Sequence, residues 1–186
     1  MLAIIAPGQG SQTPGMLATW LEDSAQAKLL SSWSENIGLD LLHLGTTADA
    51  EEIKDTANAQ PLIVAAGLLS ANALNLSGKF SYVAGHSVGE ITAASIAGSL
   101  TPVDAMKLVR ARGVEMAKAA ATSPAGMSAV LGGDRDVVLK AISDLGLVAA
   151  NDNGGGQIVA AGSLDALAQL APEGARVRAL AVAGAF

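Results

Sequence analysis

Ala84-Gly85-His86-Ser87-Val88-Gly89-Glu90 separates a short extended run, Phe80-Ser81-Tyr82-Val83, from the helical, small-residue run Ile91-Thr92-Ala93-Ala94-Ser95-Ile96-Ala97. A Gly-x-Ser-x-Gly between a strand and a helix is the pattern of a nucleophile elbow: the serine sits on a strained turn, and glycines two residues either side relieve the crowding. Ser87 is therefore the candidate nucleophile. Because Ser87 would open the helix from Val88 onward, the backbone N–H of Val88 and the positive helix end would face an oxyanion formed at an attacked carbonyl. The same residues also read as a serine N-cap between two glycines. The choice rests with the rest of the chain.

Toward the N-terminus, residues 2–6 form an apolar run, read as a buried strand, that ends at Pro7-Gly8-Gln9-Gly10-Ser11-Gln12. Glycines on both sides of Gln9 let the backbone approach a ligand, and the spacing is neither that of a P-loop nor that of a dinucleotide fold. In an open α/β sheet, ligands bind beyond the carboxyl ends of the strands, so Gln9 and Ser87 are expected to share a cleft. A solvated turn would account for Gln9 taken alone. Residues 16–59 are amphipathic and helical, with Trp20, Leu29, Leu30 and Trp33 read as core and His43 as a structural residue. Ala59-Gln60-Pro61 then opens a strongly apolar helix with proline near its first position. Gln60 either caps that helix or points into the cleft.

Toward the C-terminus, Thr101-Pro102-Val103-Asp104 is a helix start, and the helix is expected to run to about residue 121. Arg112 is followed by Gly113, and a mid-helix glycine costs about 1 kcal/mol against alanine, which implies close packing there. An arginine leaning into a cleft at that point would hold a carboxylate through two parallel N–H bonds, as lysine cannot. An exposed basic face remains the alternative. Beyond Ala125 the pattern becomes β-α-β-β-α-β, with strands near 127–131, 147–150, 157–161 and 176–182, which is the ferredoxin-like order. Domains at 1–124 and 125–186 follow. Asn151-Asp152-Asn153-Gly154-Gly155-Gly156 reads as a flexible loop between strands.

With 51% hydrophobic and 15% charged residues in 186, and a mean hydropathy of +0.42, the chain has ample material for a core and is not disordered. Its longest apolar run, residues 62–69, is far short of the roughly 18 residues that span a membrane. No basic leader precedes the first strand, so a cytoplasmic protein is expected. Zero cysteines and two histidines leave no disulfide framework and point to no metal site. A net charge of −6 argues against nucleic acid as a partner.

Four motifs in this order, Ala6-Pro7-Gly8-Gln9-Gly10-Ser11-Gln12, Gln60-Pro61, Gly85-His86-Ser87-Val88-Gly89-Glu90 and Arg110-Ala111-Arg112-Gly113, resemble the malonyl-CoA:acyl-carrier-protein transacylase family. A fifth, Asn153 through Gln157-Ile158-Val159-Ala160-Ala161-Gly162, fits the family's small lobe. The resemblance implies an α/β fold, the N-terminal portion of an α/β-hydrolase-like large domain with an inserted ferredoxin-like subdomain. It implies that Ser87 is acylated, that the N–H groups of Gln9 and Val88 form the oxyanion hole and that Arg112 binds the malonyl carboxylate. Gln60 and Asn153 would line or brace the pocket, and Val88 and Phe186 match the malonyl-selective pattern. The family's catalytic histidine would follow Phe186, so the chain is expected to be truncated there. His86 is the one substitute base on offer, but adjacent side chains on a tight turn diverge. The implied partners are malonyl-CoA and acyl carrier protein, with no cofactor, no membrane and a monomeric state. A serine hydrolase, and a non-catalytic fragment that binds CoA or carrier protein, are the alternatives.

Overall fold

In the computed structural model, which describes residues 1–75, 78–180, 182, 184 and 185, strand β1 (Ala3–Ala6) lies parallel to β2 (Tyr82–Gly85), with Ala3 opposite Tyr82 and Ala6 opposite Gly85. Parallel strands need a long crossover. Here it runs through α1 (Ser24–Ile37), α2 (Leu41–Thr46) and α3 (Thr56–Ala73), with short 3-10 turns before α1 and between α2 and α3. Each of these helices starts on an aspartate, Asp23, Asp40 or Asp55, whose side chain accepts a first-turn N–H. Two further helices follow, α4 (Gly89–Ile96) and α5 (Pro102–Ala120). The chain divides into two units, Met1–Glu115 and Met116–Phe186, the division falling within α5.

Helix α3 is the centre of the first unit. It is apolar on every side, as befits a helix enclosed by others, and its residues from Ala59 to Ala65 are all buried. Leu30, Trp33, Leu41, Met106 and Val109 pack in the same core. Sequence reasoning placed the helix start at Gln60-Pro61; the structure corrects this by one turn. The capping aspartate is Asp55, so Pro61 lies inside the helix. Proline has no N–H to give to the carbonyl four residues back. That carbonyl, of Ala57, accepts instead from Arg110 Nη1 at 2.9 Å. Arg110 therefore ties α5 to α3 and is not part of a solvated face.

The two faces of the parallel pair differ. Ile4, Ala6, Val83 and Gly85 are half-buried or buried, whereas Ala3, Ile5, Tyr82 and Ala84 are exposed, Ile5 to 70% and Tyr82 to 63%.

In the second unit β3 (Ala125–Gly132), α6 (Arg135–Asp144), β4 (Val148–Gly154), β5 (Gln157–Ser163), α7 (Leu164–Gln169) and β6 (Ala175–Ala179) form an antiparallel sheet of order β4-β5-β3-β6. This is the ferredoxin-like order, with Val130, Ile142, Ile158, Ala160 and Leu167 in its core. The expected loop from Asn151 to Gly156 is mostly strand. Pairing with β5 overrides the poor strand propensity of Asn and Asp, and β4 continues through register shifts to Gly154. The turn itself is Gly155-Gly156, at φ 56° and 77°, the left-handed values that a two-residue hairpin requires.

Candidate active site

The elbow forms because its backbone has no room for side chains on either flank. A Cβ on Gly85 would run into the backbone of Gly89 and Glu90, and one on Gly89 would strike Ala6 O and lie 2.6 Å from Pro7 O. Between them Ser87 takes φ 53°, a left-handed conformation that costs a non-glycine residue energy. The turn is locked by His86 N–H donating to Ala6 O at 3.0 Å and Glu90 N–H donating to Ser87 O at 2.9 Å. Ser87 is thereby left exposed, while Val88 behind it is fully buried. The N–H of Val88 belongs to the start of α4, where backbone donors have no intrahelical acceptor.

Arg112 reaches the same point from α5. Its Nη2 donates to Ser87 Oγ at 3.2 Å and its Nη1 to Gln60 Oε1 at 2.6 Å. It can do so because Gly113 lets α5 come close to the first turn of α3: a Cβ there would lie 3.0 Å from Thr56 O. Gln60, 1% exposed, donates from Nε2 to Gln9 Oε1 at 3.4 Å, and Gln9 Nε2 donates to Thr56 Oγ1 at 3.2 Å. Gln60 thus points toward Gln9 and Arg112 and does not cap its helix. Gln9, Gln60, Arg112 and Ser87 are joined in one hydrogen-bonded row, although Gln9 does not line the cleft that holds Ser87. Thr56 was missed, because a buried hydroxyl 47 positions from its partner leaves no local mark. Its one signal was the preceding Asp55, a helix start that the Gln60-Pro61 pair overshadowed.

An open cleft of about 450 Å³ lies beside Ser87 and Arg112, lined also by Glu90, Ile91, Leu108 and Glu115. Among the described residues, no imidazole or carboxylate is hydrogen-bonded to Ser87 Oγ. His86 lies beside Gly8, where a Cβ would meet its Nδ1 at 2.6 Å. His43 pairs with Thr47 Oγ1 and Glu52 on the surface. Asn153, in the second unit, donates from Nδ2 to Gln157 Oε1 at 2.7 Å and so closes the β4–β5 hairpin. Phe186 lies outside the described residues.

The arrangement matches a known pattern along almost the whole chain: the sequence profile of the acyl transferase domain matches residues 4–183. The chain belongs to that family. The malonyl CoA-acyl carrier protein transacylase of Mycobacterium tuberculosis is 58% identical to this acyl transferase domain over 193 aligned positions, which cover 100% of the chain and 64% of the relative. The crystal structure of MCAT from Mycobacterium tuberculosis superposes with a TM-score of 0.95 at 57% identity, over 99% of this chain and 63% of that one. An acyl-carrier-protein-S-malonyltransferase from Bartonella henselae gives 0.87 at 32% identity, over 100% and 64%. A type II PKS acyl-carrier protein in complex with its malonyl-transacylase gives 0.88 at 29%, over 98% and 63%. The acyl transferase domain described here spans just under two thirds of the length of the relatives it matches.

Proposed function

We propose that this acyl transferase domain moves a malonyl group from coenzyme A to the phosphopantetheine thiol of acyl carrier protein, in fatty-acid or polyketide synthesis. The observation that carries the reading is the guanidinium of Arg112, held 3.2 Å from Ser87 Oγ and pinned on its other side by buried Gln60. A malonyl thioester keeps a free carboxylate through both halves of the transfer. A fixed guanidinium beside the nucleophile selects it over a neutral acyl group by charge. The names of the relatives support the same reading. The same proposal has the reaction run in the cytoplasm.

In the first half-reaction, Ser87 Oγ loses its proton to a base, attacks the thioester carbon, and the C–S bond breaks to release CoA as thiolate. The N–H of Val88 at the start of α4, with that of Gln9, stabilises the oxyanion between. In the second, the pantetheine thiolate attacks the serine ester, the C–O bond breaks, and Ser87 recovers a proton from the base. Guanidinium has only donors and cannot serve as that base. On the family resemblance the base is a histidine that would follow Phe186. The rival reading is binding of CoA or carrier protein without turnover.

Intact mass spectrometry tests both. The chain, and a chimera continuing it with the C-terminal third of the Mycobacterium tuberculosis relative, are incubated with malonyl-CoA or acetyl-CoA. The chimera is expected to gain a malonyl group that S87A abolishes, and the chain alone to gain none. R112A should cut malonyl loading about 30-fold or more and leave acetyl loading little changed, since removing one partner of a desolvated charge pair costs about 2–5 kcal/mol. Equal losses for the two donors would remove Arg112 from acyl recognition, and a chimera that stays unloaded would end the transferase reading.

A further inference from the structure

The guanidinium of Arg112 can only donate, so the atom of Gln60 that it meets has to be the carbonyl oxygen. The Gln60 amide nitrogen then faces Gln9 and meets its oxygen, which turns the Gln9 nitrogen to Thr56 Oγ1. Every hydrogen bond in the row thus points from the arginine toward the threonine. Thr56 and Gln60 are 0% and 1% exposed, so water is a poor substitute for any member, and an amide left unpaired there is costly. The acceptor at the far end is stiff. Thr56 is the first residue of α3, set by the Asp55 cap, and its branched Cβ restricts rotation about χ1. Its carbonyl is also the atom against which Gly113 brings α5, the helix that bears Arg112.

We propose that Thr56 is a positioning residue for carboxylate recognition: by accepting from Gln9 it anchors the far end of the row, steadies the Gln9 oxygen on Gln60 and the Gln60 oxygen on Arg112, and so holds the guanidinium beside Ser87. Replacing the hydroxyl by a methyl removes the acceptor at almost constant volume. The Gln9 amide nitrogen is then left facing a methyl group, and the side chain gains by swinging away to find an acceptor. Gln60 then loses the fixed oxygen to which its amide nitrogen donates, and its own oxygen is held on Arg112 less rigidly. No direct contact between Thr56 and substrate is needed.

The test has two arms, and only the second rests on the malonyl reading. In the first, the side-chain NH2 groups of Gln9 and Gln60 in the chain itself are followed by 15N NMR. In the unaltered chain they are expected to exchange slowly with solvent, as immobilised amides do. T56V should shift both pairs, and T56S should return them. Signals unmoved by T56V would overturn the proposal. Should T56V fail to fold, the unaltered chain decides: freely rotating, fast-exchanging amides overturn the proposal, and slow ones support it. In the second arm, T56V in the chimera is expected to slow malonyl loading about tenfold, and acetyl loading by less than about twofold, with T56S restoring the malonyl rate. A matching loss for both donors would mark Thr56 as merely structural and overturn the proposal. A parent chimera that never loads refutes the transferase reading, while the amide signals still decide on Thr56.

Discussion

At the elbow a single methyl group is too much. Gly89 faces the carbonyls of Ala6 and Pro7, backbone atoms of β1 and the loop after it that cannot step aside as a flexible side chain could. Gly89→Ala is expected to destabilise the first unit by about 1–3 kcal/mol, the usual cost of overpacking. Thermal melting checks this, and an unchanged midpoint would mean that the loop carrying Gln9 gives way freely. These glycines are why Ser87 was legible: the spacing that makes room for the turn is printed in the sequence within five residues. Arg112 was legible for a similar reason, since Gly113 next to it signals close packing. Gln60 was only half legible, because a glutamine before a proline looks like a cap. What it binds depends on Gln9 and Arg112, 51 and 52 positions away.

Pro61 and Arg110 belong together at the scale of elements. The proline leaves the Ala57 carbonyl without its helical donor, and the guanidinium fills the gap from a neighbouring helix. R110A alone is expected to cost about 1–3 kcal/mol, the range for a hydrogen bond to a charged group and a carbonyl left wanting. In a P61A background, where a backbone N–H is again available to Ala57, the same change should cost about 1 kcal/mol less. Denaturant melts of the four proteins measure the difference, and strict additivity would uncouple the two residues. Sequence reasoning saw the proline as a helix start because that is where prolines most often sit. The true start carried a subtler signal in Asp55.

The β4–β5 hairpin offers a second case at this scale. Arg135 Nε donates to Asp152 at 2.8 Å, and with the N–H of Gly154 it holds the Asp152 carboxyl below its ordinary value of 3.8. A depressed carboxylate stabilises the folded state above its unfolded midpoint, so this contribution is whole above about pH 4 and is lost as the pH falls through the folded midpoint. An NMR titration should find Asp152 among the most acidic aspartates, and R135A should return it toward 3.8; an unmoved midpoint would exclude the arginine as the cause. The strand that places Asp152 was not legible, since Asn151-Asp152-Asn153 has the composition of a loop and only its partner strand makes it extended.

For the molecule as a whole, the order of strands and helices was the most legible feature, because the ferredoxin-like unit alternates its patterns cleanly and the crossover between β1 and β2 is long and amphipathic. Less legible was how little of the parallel sheet these residues make. Parallel sheets are ordinarily covered on both faces. Here Ala3, Ile5, Tyr82 and Ala84 present an uncovered apolar surface on a two-stranded ribbon, the one sheet of the first unit among the described residues. Against the monomer expected from sequence, the chain at micromolar concentration should self-associate, and I5K with Y82K should reduce this. Sedimentation velocity decides, and a monodisperse parent chain would show the surface to be harmless.

That uncovered ribbon also dictates how the material behaves in the tube. Attraction between oily surfaces weakens in the cold. Clusters that form at room temperature should therefore loosen on ice and gather again on warming, a reversible clouding that marks greasy contact and not tangled, misfolded chains.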